Sequence, residues 1–217
     1  MFDNNNYPNS DRTIEINNEH SNHDIKDFNI DIFIQSIFML KKIKRTGWLV
    51  KGKILDGESI ADHSYSLSAL CMIFSDIMGL DTHKVLKMCI IHDLAESIIG
   101  DIMPGEVPDK EKKFKENEAM KSILFSLPSS IKISYMKIWK EFLSNGSKEA
   151  RLVHNLDKLE MMLQAKEYSV QGYPIKNLVQ FLEFTKKSYD QEENYSLLNI
   201  PYIKNILKNL NNLINKT

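Results

Sequence analysis

Apolar residues recur along most of this chain every three or four positions, which predicts helices rather than strands. Ile32 to Leu40 begins a first amphipathic helix that runs into Lys41, Lys42 and Lys44, with a turn expected at Arg45-Thr46-Gly47-Trp48. Beyond a loop through Gly52 and Gly57, Ser59 and Asp62 have the spacing of a capping box, opening a helix that runs to Gly79. Its inward stripe is Ile60, Leu67, Cys71 and Phe74, and His63 falls on it. Val85 to Ile99 is apolar on nearly every side, the pattern of one fully buried helix, with Asp81 as N-cap and Gly100 as stop.

Residues 102–108, with two prolines and a glycine, read as a loop. A charged helix over Asp109 to Leu127 has a narrow apolar side of Phe114, Met120, Ile123 and Leu127. After Pro128, a helix with Ile131, Tyr135, Ile138, Trp139 and Phe142 runs to Asn145-Gly146. The next covers Ser147 to Tyr168, where Val153, Asp157, Met161 and Gln164 share one side, and two further helical stretches follow. The fold class is therefore all-α, a compact multi-helix bundle.

Residues 1–28, rich in Asn, Asp and Ser, have too few apolar groups to offset the entropy of ordering and are expected to form a disordered tail. Residues 29–217 then form one domain with a C-terminal helical extension. A net charge of −1 offers no broad attraction to a nucleic acid polymer or an anionic membrane. Neither a secretory signal nor an apolar run of membrane-spanning length is evident. Cys71 and Cys89 fall in apolar helices and read as core filler rather than a disulfide, so the cytoplasm is the default compartment, with the nucleus as an alternative.

The chemistry concentrates where charge interrupts apolar helices. His92, Asp93 and Glu96 sit inside the most apolar segment, and Glu96 follows His92 by four residues and Asp93 by three, one side of a helix. Buried charge must be paired or metal-bound. His63 and Asp157 face inward from two other helices, completing two imidazoles and two carboxylates. That mixed set suits a divalent ion such as Mn, Co, Fe, Zn or Mg, and the ligand types do not choose among them. Taken singly, each has an ordinary reading: a hydrogen-bonded core histidine, or Asp157 paired with Lys158 or Arg151.

The order His63, His92-Asp93, Asp157 resembles the signature of the HD-domain metal-dependent phosphohydrolases. Arg45-Thr46-Gly47-Trp48, residues 58–63 (ESIADH), residues 92–101 (HDLAESIIGD) and residues 155–168 (NLDKLEMMLQAKEY) resemble the 5'-deoxynucleotidase branch, and the similarity spans about residues 30–190. The resemblance implies that His63, His92, Asp93 and Asp157 hold the metal. It places Glu96 and Asp101 in acid/base or water-positioning roles. A second ion would sit on Glu96, Asp101 and the Ile102 carbonyl. Arg45 would clamp phosphate through its planar fork, against the alternative of capping the first helix. Trp48 would pack near the sugar and disfavour a ribose 2'-hydroxyl, against plain core packing. The implied substrate is a deoxyribonucleoside 5'-monophosphate, and the implied assembly a homodimer. Competing expectations are an HD-type triphosphohydrolase or phosphodiesterase, a metal- or nucleotide-binding module without turnover, and a helical interaction protein. His20, His23, His83 and His154 match no role.

Overall fold

The computed structural model describes residues 29–190 and positions 201, 204, 205, 208 and 209, without the side chains of 182 and 184–190. The expectations for the tail at 1–28 and for most of the last helical stretch lie outside these residues. Nine helices are present among the described residues: α1 (Asp31–Leu40), α2 (Thr46–Val50), α3 (Ile60–Met78), α4 (Thr82–Ile91), α5 (Glu96–Ile99), α6 (Asp109–Leu124), α7 (Ser129–Leu143), α8 (Lys148–Val170) and α9 (Ile175–Asp190). No strand occurs among them, and the all-α expectation holds.

The local signals work as predicted. Ser59 and Asp62 form a reciprocal capping box at the start of α3. Gly79 ends that helix with φ +64°, and Asp81 caps α4 by accepting from the Lys84 N–H. The core is α3 packed on α4 and α8, with α7 against α4, α9 against α8, and α1 against α5 and α6. Ile60, Leu67, Cys71, Met88, Cys89, Leu156 and Leu159 fill it, all but excluded from solvent. Each fully buried aliphatic side chain contributes about 1.5–3 kcal/mol. Cys71 and Cys89 are both free and buried, as expected of core filler.

Several expectations are corrected. The turn at Arg45–Trp48 is instead the start of a short helix, α2. Backbone bonds from Arg45 N–H to the Glu58 carbonyl (3.0 Å) and from Ile60 N–H to the Ile43 carbonyl (3.0 Å) stitch the α1–α2 link to the head of α3. The single buried helix from Val85 to Ile99 is two helices joined by a tight turn at residues 92–95. There the backbone switches to three-residue bonds: Leu94 to Ile91, Glu96 to Asp93 and Ser97 to Leu94. The His92 ring Nδ1, 2.6 Å from the Cys89 carbonyl, competes with the helical ladder at that point. Nor is the segment buried all round, because Ile90 and Ile98 are exposed. On α6, which ends at Leu124, Phe114 faces solvent, leaving Met120, Ile123 and Leu124 as its buried side. Ile131 of α7 is also exposed.

Candidate active site

His63 projects from the first turns of α3, where the capping box sets the helix start, and is fully buried. The turn after α4 supplies His92 and Asp93, and α8 supplies Asp157. His63 Nε2 lies 3.1 Å from Asp157 Oδ1 and 3.9 Å from Asp93 Oδ2, while His92 Nε2 lies 2.9 Å from Asp93 Oδ2. Asp93 therefore lies between the two imidazoles, and Asp157 joins the cluster from the His63 side. Asp157, expected to be core-facing, instead borders an open cavity, its side chain 32 % exposed.

The outer ring nitrogens explain the aim of these imidazoles. His63 Nδ1 sits 2.6 Å from Glu160 Oε2, and His92 Nδ1 2.6 Å from the Cys89 carbonyl. A carboxylate and a carbonyl only accept, so each Nδ1 carries a hydrogen and each Nε2 is the nitrogen left to face the carboxylates or a cation. Both Nε2 atoms are buried without a hydrogen-bond partner, and His63, His92 and Asp93 offer ligand atoms all within 4.8 Å of one another. Two orphaned imidazole nitrogens facing two carboxylates fit a divalent cation.

The electrostatics agree. Burial pulls both imidazoles down, but Asp157 and Glu160 at His63, and Asp93 and Asp157 at His92, push each up to about 9. The pocket thus favours positive charge. Burial opposes ionisation of Asp157, yet His63 and Arg45 hold its carboxyl below the ordinary range. Glu96 moves the other way: burial and the neighbouring Asp93 and Asp101 raise it well above the usual value.

A cavity of about 460 Å³ opens from this centre, with Arg45, Trp48, Asp93, Glu96, Asp101 and Asp157 in its wall. The Arg45 Nη1 is buried without a hydrogen-bond partner, and its Nε is 3.9 Å from Glu58 Oε1. Trp48 is 1 % exposed, donates to Glu58 Oε1 at 2.8 Å, and packs on Phe181 with ring centroids 4.2 Å apart. Asp101 Oδ2 accepts from the Thr46 N–H at 2.6 Å, while the Thr46 hydroxyl donates to the Asp101 carbonyl at 2.8 Å. That carboxylate at the α2 N-terminus draws Arg45 and Trp48 to the centre. The Ile102 carbonyl, expected for a second ion, accepts from Lys112 Nζ at 2.8 Å.

Sequence reasoning missed Thr46, Glu58, Lys112 and Glu160. Only Glu160 had a local signal, three residues after Asp157 on the same side of α8. His83 is exposed, and His154 stacks on Phe142 with its Nε2 2.9 Å from the Phe142 carbonyl, away from the ligand atoms. His20 and His23 lie outside the described residues.

The fold and the donor set define a class: a helical bundle built around a mixed imidazole and carboxylate centre suited to a divalent ion. Residues 37–198 match the HD domain family, and the chain belongs to it. It is 33 % identical over 162 residues to 5'-deoxynucleotidase HDDC2 of Homo sapiens, covering 74 % of this chain and 78 % of that protein. It is 40 % identical over 161 residues to 5'-deoxynucleotidase hdd1 of Schizosaccharomyces pombe, covering 72 % and 80 %. A crystal structure of a Pyrococcus horikoshii protein superposes with a TM-score of 0.65 at 32 % identity, covering 85 % of this chain and 99 % of that one.

Proposed function

We propose that the chain is a metal-dependent 5'-deoxynucleotidase, an enzyme that hydrolyses deoxyribonucleoside 5'-monophosphates to deoxynucleoside and phosphate. The observation that carries the reading is the pair of orphaned Nε2 atoms facing Asp93 and Asp157, beside the buried Arg45 Nη1 that has no hydrogen-bond partner. Similarity to proteins named 5'-deoxynucleotidase supports the substrate class.

In this reading His63, His92, Asp93 and Asp157 hold one divalent ion, with Mn, Co or Mg preferred. Such an ion acidifies water and polarises the phosphoryl group. Arg45 binds the non-bridging phosphate oxygens through the Nη1 that has no partner within the protein. Glu96, raised by burial beside two other acids, keeps its proton at higher pH than an ordinary glutamate and donates it to the departing 5'-oxygen. Asp101, already tied to Thr46, positions the attacking water and keeps the Arg45–Trp48 segment over the phosphate. Trp48, held by Glu58 and Phe181, is the residue that would pack near the sugar and disfavour a 2'-hydroxyl. A cavity of this size accommodates a mononucleotide. The homodimer and a cytoplasmic or nuclear location belong to the same reading. No helix among the described residues is long and apolar enough to cross a membrane.

The test is a panel of deoxy- and ribonucleoside monophosphates and triphosphates with Mn, Co, Mg and Zn, measuring phosphate and pyrophosphate separately. Phosphate from deoxynucleoside monophosphates is expected. Pyrophosphate or tripolyphosphate release, or no turnover with any ion, would overturn the proposal.

A further inference from the structure

Glu58 stands one residue ahead of the Ser59 cap of α3, with its side chain 7 % exposed. Each of its polar groups reaches a different neighbour. Its carbonyl accepts from the Arg45 N–H at 3.0 Å, and its own N–H donates to the Tyr168 hydroxyl of α8 at 2.8 Å. Its Oε1 accepts from Trp48 Nε1 at 2.8 Å and lies 3.9 Å from Arg45 Nε. Tyr168 and Phe181 also pack on the indole, with ring centroids 5.2 and 4.2 Å away. Apolar burial is non-directional, whereas a hydrogen bond requires the indole N–H to point at its acceptor. On its other side Glu58 borders the metal centre, since Glu58, Glu160 and His63 offer atoms all within 4.8 Å of one another. Arg45 and Trp48 line the cavity and Glu58 does not, so any effect of Glu58 on a bound nucleotide passes through those two residues.

We propose that Glu58 is the positioning residue of the nucleotide pocket, setting the orientation of Trp48 and through it the selection of deoxyribose over ribose. The inference rests on the 5'-deoxynucleotidase reading above, with Trp48 as the group beside the sugar. Removing the carboxylate leaves a buried indole N–H without an acceptor, and the ring gains by turning toward another acceptor or water. A ribose 2'-hydroxyl then meets a less fixed neighbour. The grip on phosphate changes less, because a substitution at residue 58 keeps the backbone carbonyl that holds the Arg45 N–H.

The test compares the full-length wild type with Glu58→Met, which keeps the volume and removes the carboxylate, Glu58→Ala, and Glu58→Gln, each checked for folding by circular dichroism. For each, kcat and KM are measured with a deoxy- and a ribonucleoside monophosphate of the same base, together with manganese affinity. The Trp48 indole N–H resonance, assigned with Trp48→Phe, is followed without substrate. Glu58→Met and Glu58→Ala are expected to lower the deoxy-to-ribo ratio of kcat/KM by about 10-fold, the scale of one hydrogen bond to a charged group. They should shift the Trp48 indole resonance and keep manganese affinity at the wild-type level. Glu58→Gln, whose amide oxygen still accepts from the indole, should recover most of the ratio. An equal loss with both sugars, an unmoved indole resonance, or loss of manganese together with turnover would overturn the role of Glu58 while leaving the nucleotidase reading intact. A wild-type protein that releases no phosphate from deoxynucleoside monophosphates, or releases it equally well from ribonucleotides, would overturn both.

Discussion

Glu160 Oε2 lies 2.6 Å from His63 Nδ1, joining residues 97 positions apart in the interior. The contact fixes both the tautomer of His63 and the direction of its free nitrogen. A carboxylate behind a metal-binding imidazole raises ligand basicity, and its loss typically weakens metal affinity about 10- to 100-fold. Glu160→Ala is therefore expected to reduce divalent-ion affinity by about that factor, and Glu160→Gln, which can still accept through its amide oxygen, by less. Calorimetric titration of manganese checks this; equal affinities in all three proteins would remove Glu160 from the centre.

Asp93 lies beside both imidazoles and Asp157 beside His63, whereas Glu96 lies further along the wall. Asp93→Ala and Asp157→Ala should lose metal content and turnover together. Glu96→Ala should retain the ion and lose about 10²- to 10⁴-fold in turnover, the usual contribution of a positioned acid. Metal analysis beside rate measurement separates the two behaviours. Full turnover in metal-loaded Glu96→Ala would exclude it as the acid.

Arg45 faces the cavity with a buried, unpartnered Nη1. Charged hydrogen bonds are worth about 1.5–3 kcal/mol each, so Arg45→Met should lower kcat/KM by about 10- to 150-fold. Arg45→Lys, which loses the fork, should recover only part of this. Manganese content should stay at the wild-type level. Loss of the ion in Arg45→Met would indicate a structural rather than a phosphate-binding role.

Far from the centre, Lys84 of α4 ties α7 and α8 together through Glu141 (2.8 Å) and Glu149 (3.0 Å). The bond from Lys84 lowers the Glu141 carboxyl. Burial opposes ionisation of Glu149, but Lys84 lowers it as well; burial likewise opposes charge on Lys84, which the two acids outweigh to raise it. Depressed acids stabilise the fold above their ordinary values near 4.5 and lose that contribution as pH falls through the folded values. The raised lysine contributes below 10.5 and loses it as pH rises through its folded value. Lys84→Met should cost about 1 kcal/mol between pH 5 and 10 and much less near pH 3, because these pairs are partly exposed. Urea unfolding across pH checks this; a cost independent of pH would point to lost packing instead.

Much of the fold was legible because its signals are local. The capping box at Ser59 and Asp62, the N-cap at Asp81, the stops at Gly79 and Gly100, and His63 on an inward stripe each involve residues a few positions apart. The break at residues 92–95 was not legible. Uniform apolarity conceals it, and the competing bond comes from the His92 ring. Phe114, Ile90 and Ile98 show the same limit: an apolar residue meets the core only if another element covers that side of its helix.

By itself the sequence determined most of the helices, several of their starts and stops, and which residue types carry the chemistry, since helical period and capping act within one or two turns. Tertiary packing decided the rest. It set which atoms meet: Thr46 with Asp101, Lys112 with Ile102, Glu160 with His63. It also made Asp157 a cavity wall rather than a core group. These contacts join residues on different elements, and no local spacing encodes how one helix lies across another.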